Sequence, residues 1–334
     1  MTMVSFGDLA QSYLMKAQTS RLKGETGRIT QELASGRLSD VAKSLSGDLG
    51  RLSALTRSQD LASGYVTAAQ EGAFRASALQ RTLGVLSESA QSLAPDLLSA
   101  TLNGGSAALS LLASRGADRF DAALSALNTS VAGRNLFSGT AVGSPAVAPT
   151  NTILSALRAE IVGATTPDEV FTRISAWFDA PAGFQTLAYG GGPPVTDLAV
   201  SPDDTAWLGV TANDPAVREA LKGFAAAALI NDPGVSLVPS DMRVFARLAG
   251  ESLIGGNDAL IALSARVGMS EQRIDTALSR NAAEKLTLEM ATAELVQSDP
   301  FILATELEAV QTNLETLFAV TARLSRLSLT DFMR

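Results

Sequence analysis

Side chains able to do acid–base or nucleophilic work are sparse in this chain. It contains neither histidine nor cysteine. Histidine acid–base catalysis, thiolate nucleophiles, disulfide frameworks and Cys/His zinc sites are therefore excluded. Carboxylate, lysine and serine chemistry remains. Asp168-Glu169 and Asp203-Asp204 are adjacent carboxylates, but acid pairs act by converging across a cleft. A helix start accounts for the first and a loop for the second. Gly190-Gly191-Gly192 lacks the lysine and the strand-to-helix setting of a phosphate loop and reads as a turn. Ser35, Ser39 and Ser44 have no paired base. The reading is of a chain that is not an enzyme, with no catalytic residue, no metal ligand, no cofactor and no small-molecule substrate.

The elements that carry these residues are mostly helices. Of 334 residues, 46% are apolar and only 5% aromatic. Small and aliphatic side chains suit closely packed helices better than an aromatic-lined pocket, and the apolar content is too high for disorder by composition. The net charge is −8. Residues 1–140 hold 13 basic and 11 acidic side chains, 141–255 hold 6 and 12, and 256–334 hold 7 and 11. A mildly basic start and a mildly acidic end favour pairing the two ends. No basic field of the kind a nucleic-acid binder shows is present. Met1 to Ala17 has no basic start leading into an apolar core, and Asp8 interrupts it, so export would use a route that reads no cleaved leader. The longest apolar run, Phe224 to Ile230, is too short for a membrane span.

Periodicity predicts the organisation. Residues 1–20 form a weakly amphipathic helix. Leu22, Ile29 and Leu33 continue a stripe that stops at Ser35-Gly36, and 37–47 is a loop. A helix over about 48–98 carries Leu79, Leu83, Leu86, Ala90, Leu93 and Leu97 at alternating spacings of four and three, the coiled-coil rhythm. Pro95 is expected to kink or end it. After the turn at Asn103-Gly104-Gly105, a helix over about 106–134 carries Phe120, Leu124, Leu127 and Val131. The middle is richer in proline and glycine. It is expected to hold short helices from Pro167, from Asp214-Pro215 to about Ile230 and from Pro239 to Leu253, with strands at Phe184–Tyr189, Val195–Val200 and Thr205–Val210. Helix resumes from Ala259 to Gln297, and Ser298-Asp299-Pro300 breaks it. Ser298 or Asp299 can cap the next helix, with Pro300 in its first turn. There Leu303, Leu307, Val310, Leu314, Leu317 and Leu324 keep the 4-3 spacing, a stripe that one helix cannot bury alone.

The predicted fold is mainly α: a long helical bundle or coiled coil formed by the N- and C-terminal segments, with a small inserted α/β domain. The expected parts are a terminal coiled coil of 1–44 plus 298–334, able to stay disordered in the monomer, a helical rod of 45–140 plus 255–297, and a mixed outer domain of 141–254. The assembly interface is expected at Leu9, Leu22, Ile29, Leu33, Leu303, Leu307, Val310, Leu314, Leu317, Leu324 and Leu327.

Four segments, in this order along the chain, carry a resemblance. Gln31-Glu-Leu-Ala-Ser-Gly-Arg37 is a leucine followed by a serine-glycine-basic step. Gly133-Arg-Asn-Leu-Phe-Ser-Gly139 is similar to a Gly-x-x-Leu-Phe-(Ala/Ser)-Gly exit motif. Ser298-Asp-Pro-Phe-Ile-Leu-Ala-Thr-Glu306 is an acidic break before the last helix. The tail Ala322-Arg-Leu-Ser-Arg-Leu-Ser-Leu-Thr-Asp-Phe-Met-Arg334 is similar to a Ser-Leu-x-Asp-(Phe/Tyr) ending. Together they resemble the family of flagellins and flagellar hook–filament junction proteins, and the tail is closer to the junction type. The central Trp207-Leu-Gly-Val-Thr-Ala-Asn-Asp-Pro215 is similar to outer domains of alphaproteobacterial members. Two elements depart from the pattern. Ser39-Asp40-Val41 stands where an Asp-Asp-Pro-like loop is usual, and the acidic break lacks the usual alanine-glutamate wording.

The resemblance implies a secreted structural subunit that leaves through the flagellar type III export apparatus and polymerises at the distal hook. The partners it implies are copies of itself in a helical assembly, other hook-associated proteins, flagellin and an export chaperone. Flagellin itself, or a non-flagellar helical adaptor, are the alternative readings.

Overall fold

The structure is a computed structural model that describes residues 6–44, 49–103, 105–235 and 237–332, with side chains at 10, 13–44, 49–99, 105–235 and 237–323. It is mainly α. In order it has α1 (Phe6–Ser35), the single turn α2 (Val41–Ser44), α3 (Gly50–Asn103) and α4 (Ser106–Leu127), then the short strands β1 (Ser130–Val131) and β2 (Arg134–Asn135). There follow α5 (Thr150–Ile161), α6 (Pro167–Asp179), a π-helical turn (Phe184–Ala188), β3 (Leu198–Ser201), β4 (Asp204–Ala206), α7 (Pro215–Ala228), α8 (Pro239–Val296) and α9 (Pro300–Phe332). The chain divides into two compact units, residues 1–61 with 283–334 and residues 62–282, and α3 and α8 contribute to both.

In the second unit the predicted stripe of α3 is the core. Leu79, Leu83, Leu86, Ala90, Leu93 and Leu97 are all at most 2% exposed. Phe120, Leu124 and Leu127 of α4 join them, and Val131 packs against the cluster half-buried. α3 and α8 run antiparallel. Gln80 Nε2 donates to the Ser264 carbonyl at 2.8 Å and Ser87 Oγ donates to Asn257 Oδ1 at 2.6 Å. Pro95 does not end α3. Proline removes one helix hydrogen bond, but Leu93, Ala94 and Leu97 on either side are buried, so packing carries the helix across it.

α4 stops at Leu127, seven residues short of the expected 134. The reason is Asn128, whose side chain bonds the backbone of Val147 in both directions, Nδ2 to O at 3.0 Å and N to Oδ1 at 2.9 Å. Asparagine competes with helix continuation in this way. The exit motif is then a β-hairpin. Ala132-Gly133, both at positive φ, turn β1 into its antiparallel partner β2. Leu136 and Phe137 are buried. Gly139, at φ +57°, sits where a Cβ would come within 2.3 Å of the Pro193 carbonyl oxygen, so only glycine fits. The glycine triplet lies along the same seam: Gly192 N donates to Ser138 O at 2.9 Å and Thr140 N to Pro193 O at 2.9 Å.

The middle is mixed, but less stranded than expected. The predicted strand at Phe184–Tyr189 is the π turn, because Phe184 is drawn into an aromatic cluster, stacked 5.4 Å from Phe178, which meets Trp177 edge-on at 5.1 Å. The other two expected strands shorten to the antiparallel hairpin β3–β4. That hairpin is fixed to α8 by Asn281 Nδ2, which donates to Val200 O at 2.7 Å, and the Trp207 ring after it lies 4.1 Å beneath the Arg266 guanidinium. Nine of the fourteen residues of α7 are buried, Lys222 among them. Lys222 Nζ bonds Asp179 at 2.8 Å and Glu219 at 2.7 Å. Burial works against its charge, but the two carboxylates outweigh this and hold its pKa above the ordinary lysine value.

The expected break near 254–259 is absent. α8 passes through Gly255-Gly256 without interruption, because Gly256 serves close packing. A Cβ there would come within 2.6 Å of Ala220 Cα.

Candidate assembly surface

In the first unit α1 and α9 pack against each other. Ile29, Leu303 and Val310 form a small buried cluster, with Leu22, Leu307 and Leu314 packed against it. These six are predicted interface residues, and the structure brings them together within one chain. Leu317 is half-buried and, with Arg21, Leu22 and Asn313, lines a shallow groove of about 430 Å³. Leu33 is 40% exposed and stands outside the cluster. The side chains of Leu9, Leu324 and Leu327 lie outside the described residues.

The helices are registered by Arg28 Nη2, 3.7 Å from Glu306, and by Thr321 Oγ1, 3.8 Å from Met15 Sδ. Exposed ion pairs contribute at most about 1 kcal/mol, so the apolar stripe supplies most of the cohesion. The cluster is nevertheless thin. Tyr13 (75% exposed), Leu14 (61%), Phe301 (81%), Ile302 (56%) and Phe318 (51%) all face outward on the same two helices.

Where α1 ends, the serine-glycine-basic step meets the acidic break. Gly36, at φ +67°, turns the chain out of α1 while its N–H donates back to the Glu32 carbonyl at 2.8 Å. Left-handed backbone of this kind favours glycine. Arg37 then pairs with Gln297 in an antiparallel bridge. Leu38 N donates to Val296 O at 2.9 Å, and Ser298 N to Gly36 O at 3.1 Å. Asp299 is the cap of α9, accepting from Phe301 N at 2.8 Å. Ser298 has another role, donating its hydroxyl to the Glu32 carbonyl at 3.2 Å.

Glu32 is the residue that sequence reasoning missed. Its side chain is 2% exposed. One carboxylate oxygen accepts from Ser39 N at 2.9 Å and also from Ser39 Oγ, and the other accepts from Arg28 at 2.7 Å. A signal was present, since position 32 follows Ile29 by three and so falls on the inward face, where an unpaired carboxylate would be costly. Burial alone would raise its pKa. The hydrogen bonds from Ser39 and Arg28 outweigh burial and hold the carboxyl below its ordinary value of 4.5.

A lowered carboxylate pKa contributes stability above the ordinary value and loses it as pH falls through the folded-state value. The junction of Gly36 and Ser298 should therefore loosen on acidification below 4.5, by about 1.5–3 kcal/mol, the worth of a hydrogen bond to a charged group. Hydrogen exchange at the Gly36, Leu38 and Ser298 amides, corrected for intrinsic rates, checks this. Glu32→Gln should flatten the pH dependence, and an unchanged acid profile in that variant would refute the assignment to Glu32.

The chemically capable residues fall elsewhere. Glu169 accepts from Thr165 N at 3.2 Å and pairs with Arg173, while Thr166 Oγ1 accepts from Glu169 N at 3.3 Å, so Asp168-Glu169 belongs to a helix start. Asp203-Asp204 lies at the turn into β4. Among the described residues no group of three or more acidic side chains is placed to hold a metal ion, and no helix is long and apolar enough to cross a membrane.

No family model matches this chain, and no curated protein sequence matches it. Solved structures match this chain. One is a "putative flagellar hook-associated protein" from Vibrio parahaemolyticus, 14% identical, matched over 73% of this chain and 95% of that one with a TM-score of 0.49.

Proposed function

We propose that this chain is a non-enzymatic structural subunit of the bacterial flagellum that is exported, packs against copies of itself through the α1–α9 unit, and joins hook to filament. The observation that carries the self-assembling role is the thinness of that unit. Among the described residues, three buried apolar side chains hold two helices of 30 and 33 residues, while seven large apolar side chains on them are exposed. A helix pair with so small a core gains its remaining burial from neighbours. The flagellar placement rests on the four sequence segments and on where they fall: the first and third meet at the Gly36–Ser298 junction, and the second forms the β1–β2 hairpin with its buried Leu136-Phe137. Flagellin and other hook-associated proteins are the expected neighbours in the assembly. An export chaperone is the expected ligand of the unassembled terminal helices.

The test is deletion of the gene in a motile strain, with electron microscopy of cells and of culture medium. Bare hooks with intact filament protein free in the medium are expected, together with tagged chain at the hook tip on complementation. Normally attached filaments would reject the junction role. Tagged chain along whole filaments would instead identify a filament subunit.

A further inference from the structure

The α1–α9 pair has two broad faces. On one of them Arg28 pairs with Glu32 and Glu306. The other face is defined by the residues that follow each inward position by one. On antiparallel helices a step of one residue rotates both side chains toward the same side of the pair. On α1 these are Lys16 and Lys23, next to Met15 and Leu22. On α9 they are Glu308 and Glu315, next to Leu307 and Leu314, with Phe318 next to Leu317. All four charged residues are exposed. Among the described residues none of the four forms an ion pair within the chain.

The spacing on each helix is seven residues, about 10.5 Å along the axis. The two strips are therefore the same length and opposite in sign. Along the lysine side of α1 the threonine hydroxyls are already bonded within the helix. Thr19 and Thr26 turn their hydroxyls back to the carbonyls of Met15 (2.8 Å) and Leu22 (2.9 Å), and Thr30 does the same to Thr26 (2.8 Å). Their hydroxyl donors are already used, so a helix laid there would not strip them of water bonds. On α9 the same face presents the 51% exposed ring of Phe318.

We propose that this face is a docking surface for a second copy of the chain, with Lys16 and Lys23 of one copy set against Glu308 and Glu315 of the next. The charge complementarity selects the occupant. The acidic strip that the basic strip fits, at the same seven-residue repeat, is carried by every other copy. This rests on the reading of the chain as a self-assembling subunit and adds which face and which charges select the neighbour. Exposed pairs are individually weak, so their role is to set partner and register, with the apolar side chains supplying most of the cohesion.

The test uses the full-length chain and follows polymerisation by sedimentation and negative-stain microscopy. Lys16→Glu with Lys23→Glu places like charges opposite one another, as does Glu308→Lys with Glu315→Lys. Each variant alone should raise the critical concentration about tenfold or more at low salt, an effect that shrinks as salt screens the charges. The fourfold exchange, and an equimolar mixture of the two reversed variants, should recover assembly. Circular dichroism establishes that each variant keeps its helix content. Reversed variants that assemble like the wild type, or folded variants that neither the exchange nor the mixture rescues, would overturn this surface and leave the self-assembling role intact. A wild-type chain that stays monomeric would overturn both.

Discussion

Replacing Gly256 with valine should unfold the second unit or bring it close to unfolding, while replacing its neighbour Gly255 with alanine should stabilise it slightly. A Cβ at 256 would stand 2.6 Å from Ala220 Cα and 2.8 Å from Ala220 N, whereas one at 255 meets nothing within 4 Å. The obstacle at 256 is backbone, which cannot swing aside as a side-chain end can. α7 is also in close backbone contact with α4, where a Cβ at Gly116 would come within 2.6 Å of the Ala227 carbonyl carbon. Overpacking of a core typically costs about 1–3 kcal/mol, and a backbone obstacle puts Gly256→Val at or above the upper end. Gly255→Ala lies in a helix interior, where alanine is favoured by about 0.5–1 kcal/mol. Urea unfolding followed by tryptophan fluorescence reads both variants, because Trp177 and Trp207 both lie in this unit. Equal midpoints for the two variants would show that α7 and α8 are not in close backbone contact.

The second large effect is expected from Ile29→Asp. Ile29 is wholly covered by the α1–α9 pair, and a carboxylate there would face Leu303 and Val310 with no partner. Burying an unpaired charge costs several kcal/mol, and a three-residue cluster has no reserve to absorb it. The paired helices should separate and polymerisation should fail. The tryptophan unfolding midpoint should stay within about 0.5 kcal/mol of wild type, since distant sites are independent. Retained assembly would show that the α1–α9 pair is not the assembling element. A lowered tryptophan midpoint would show that the two units do not fold independently.

Much of this was legible in the sequence, for an identifiable reason. The 4-3 spacing of Leu79 to Leu97 and of Leu303 to Leu317 reports which side of a helix is apolar, and burial follows from it directly. Glycine and proline were read less well because each has more than one use. Gly255-Gly256 looked like a break and is a packing site, and Pro95 looked like an end and is spanned by its buried neighbours. Phe184–Tyr189 looked like a strand because a short aromatic run does not declare its period, and the ring cluster with Trp177 and Phe178 decided it. Glu32 was missed because its partners Ser39 and Arg28 are unremarkable singly and meaningful only once Gly36 has turned the chain. At the candidate surface, the apolar members were predicted. That Lys16, Lys23, Glu308 and Glu315 share one face required the register of α1 on α9.

The antiparallel run of α3 and α8 also bears on how the chain comes to be folded. α1 and α9 lie at opposite ends of the sequence, so their contacts are among the most distant the chain can make. A search across the whole open chain would be slow, and α1 would wait exposed until synthesis was complete. Gln80 is bonded to Ser264, and Gly72 lies against Ile274. Once these contacts form, the two strands of chain leaving the second unit emerge side by side. The remaining closure is then that of two short neighbouring tails, and the entropy of bringing them together falls with the logarithm of the loop length. The order this imposes is the middle first and the ends last, which leaves the assembling helices as the final part of the molecule to find a partner.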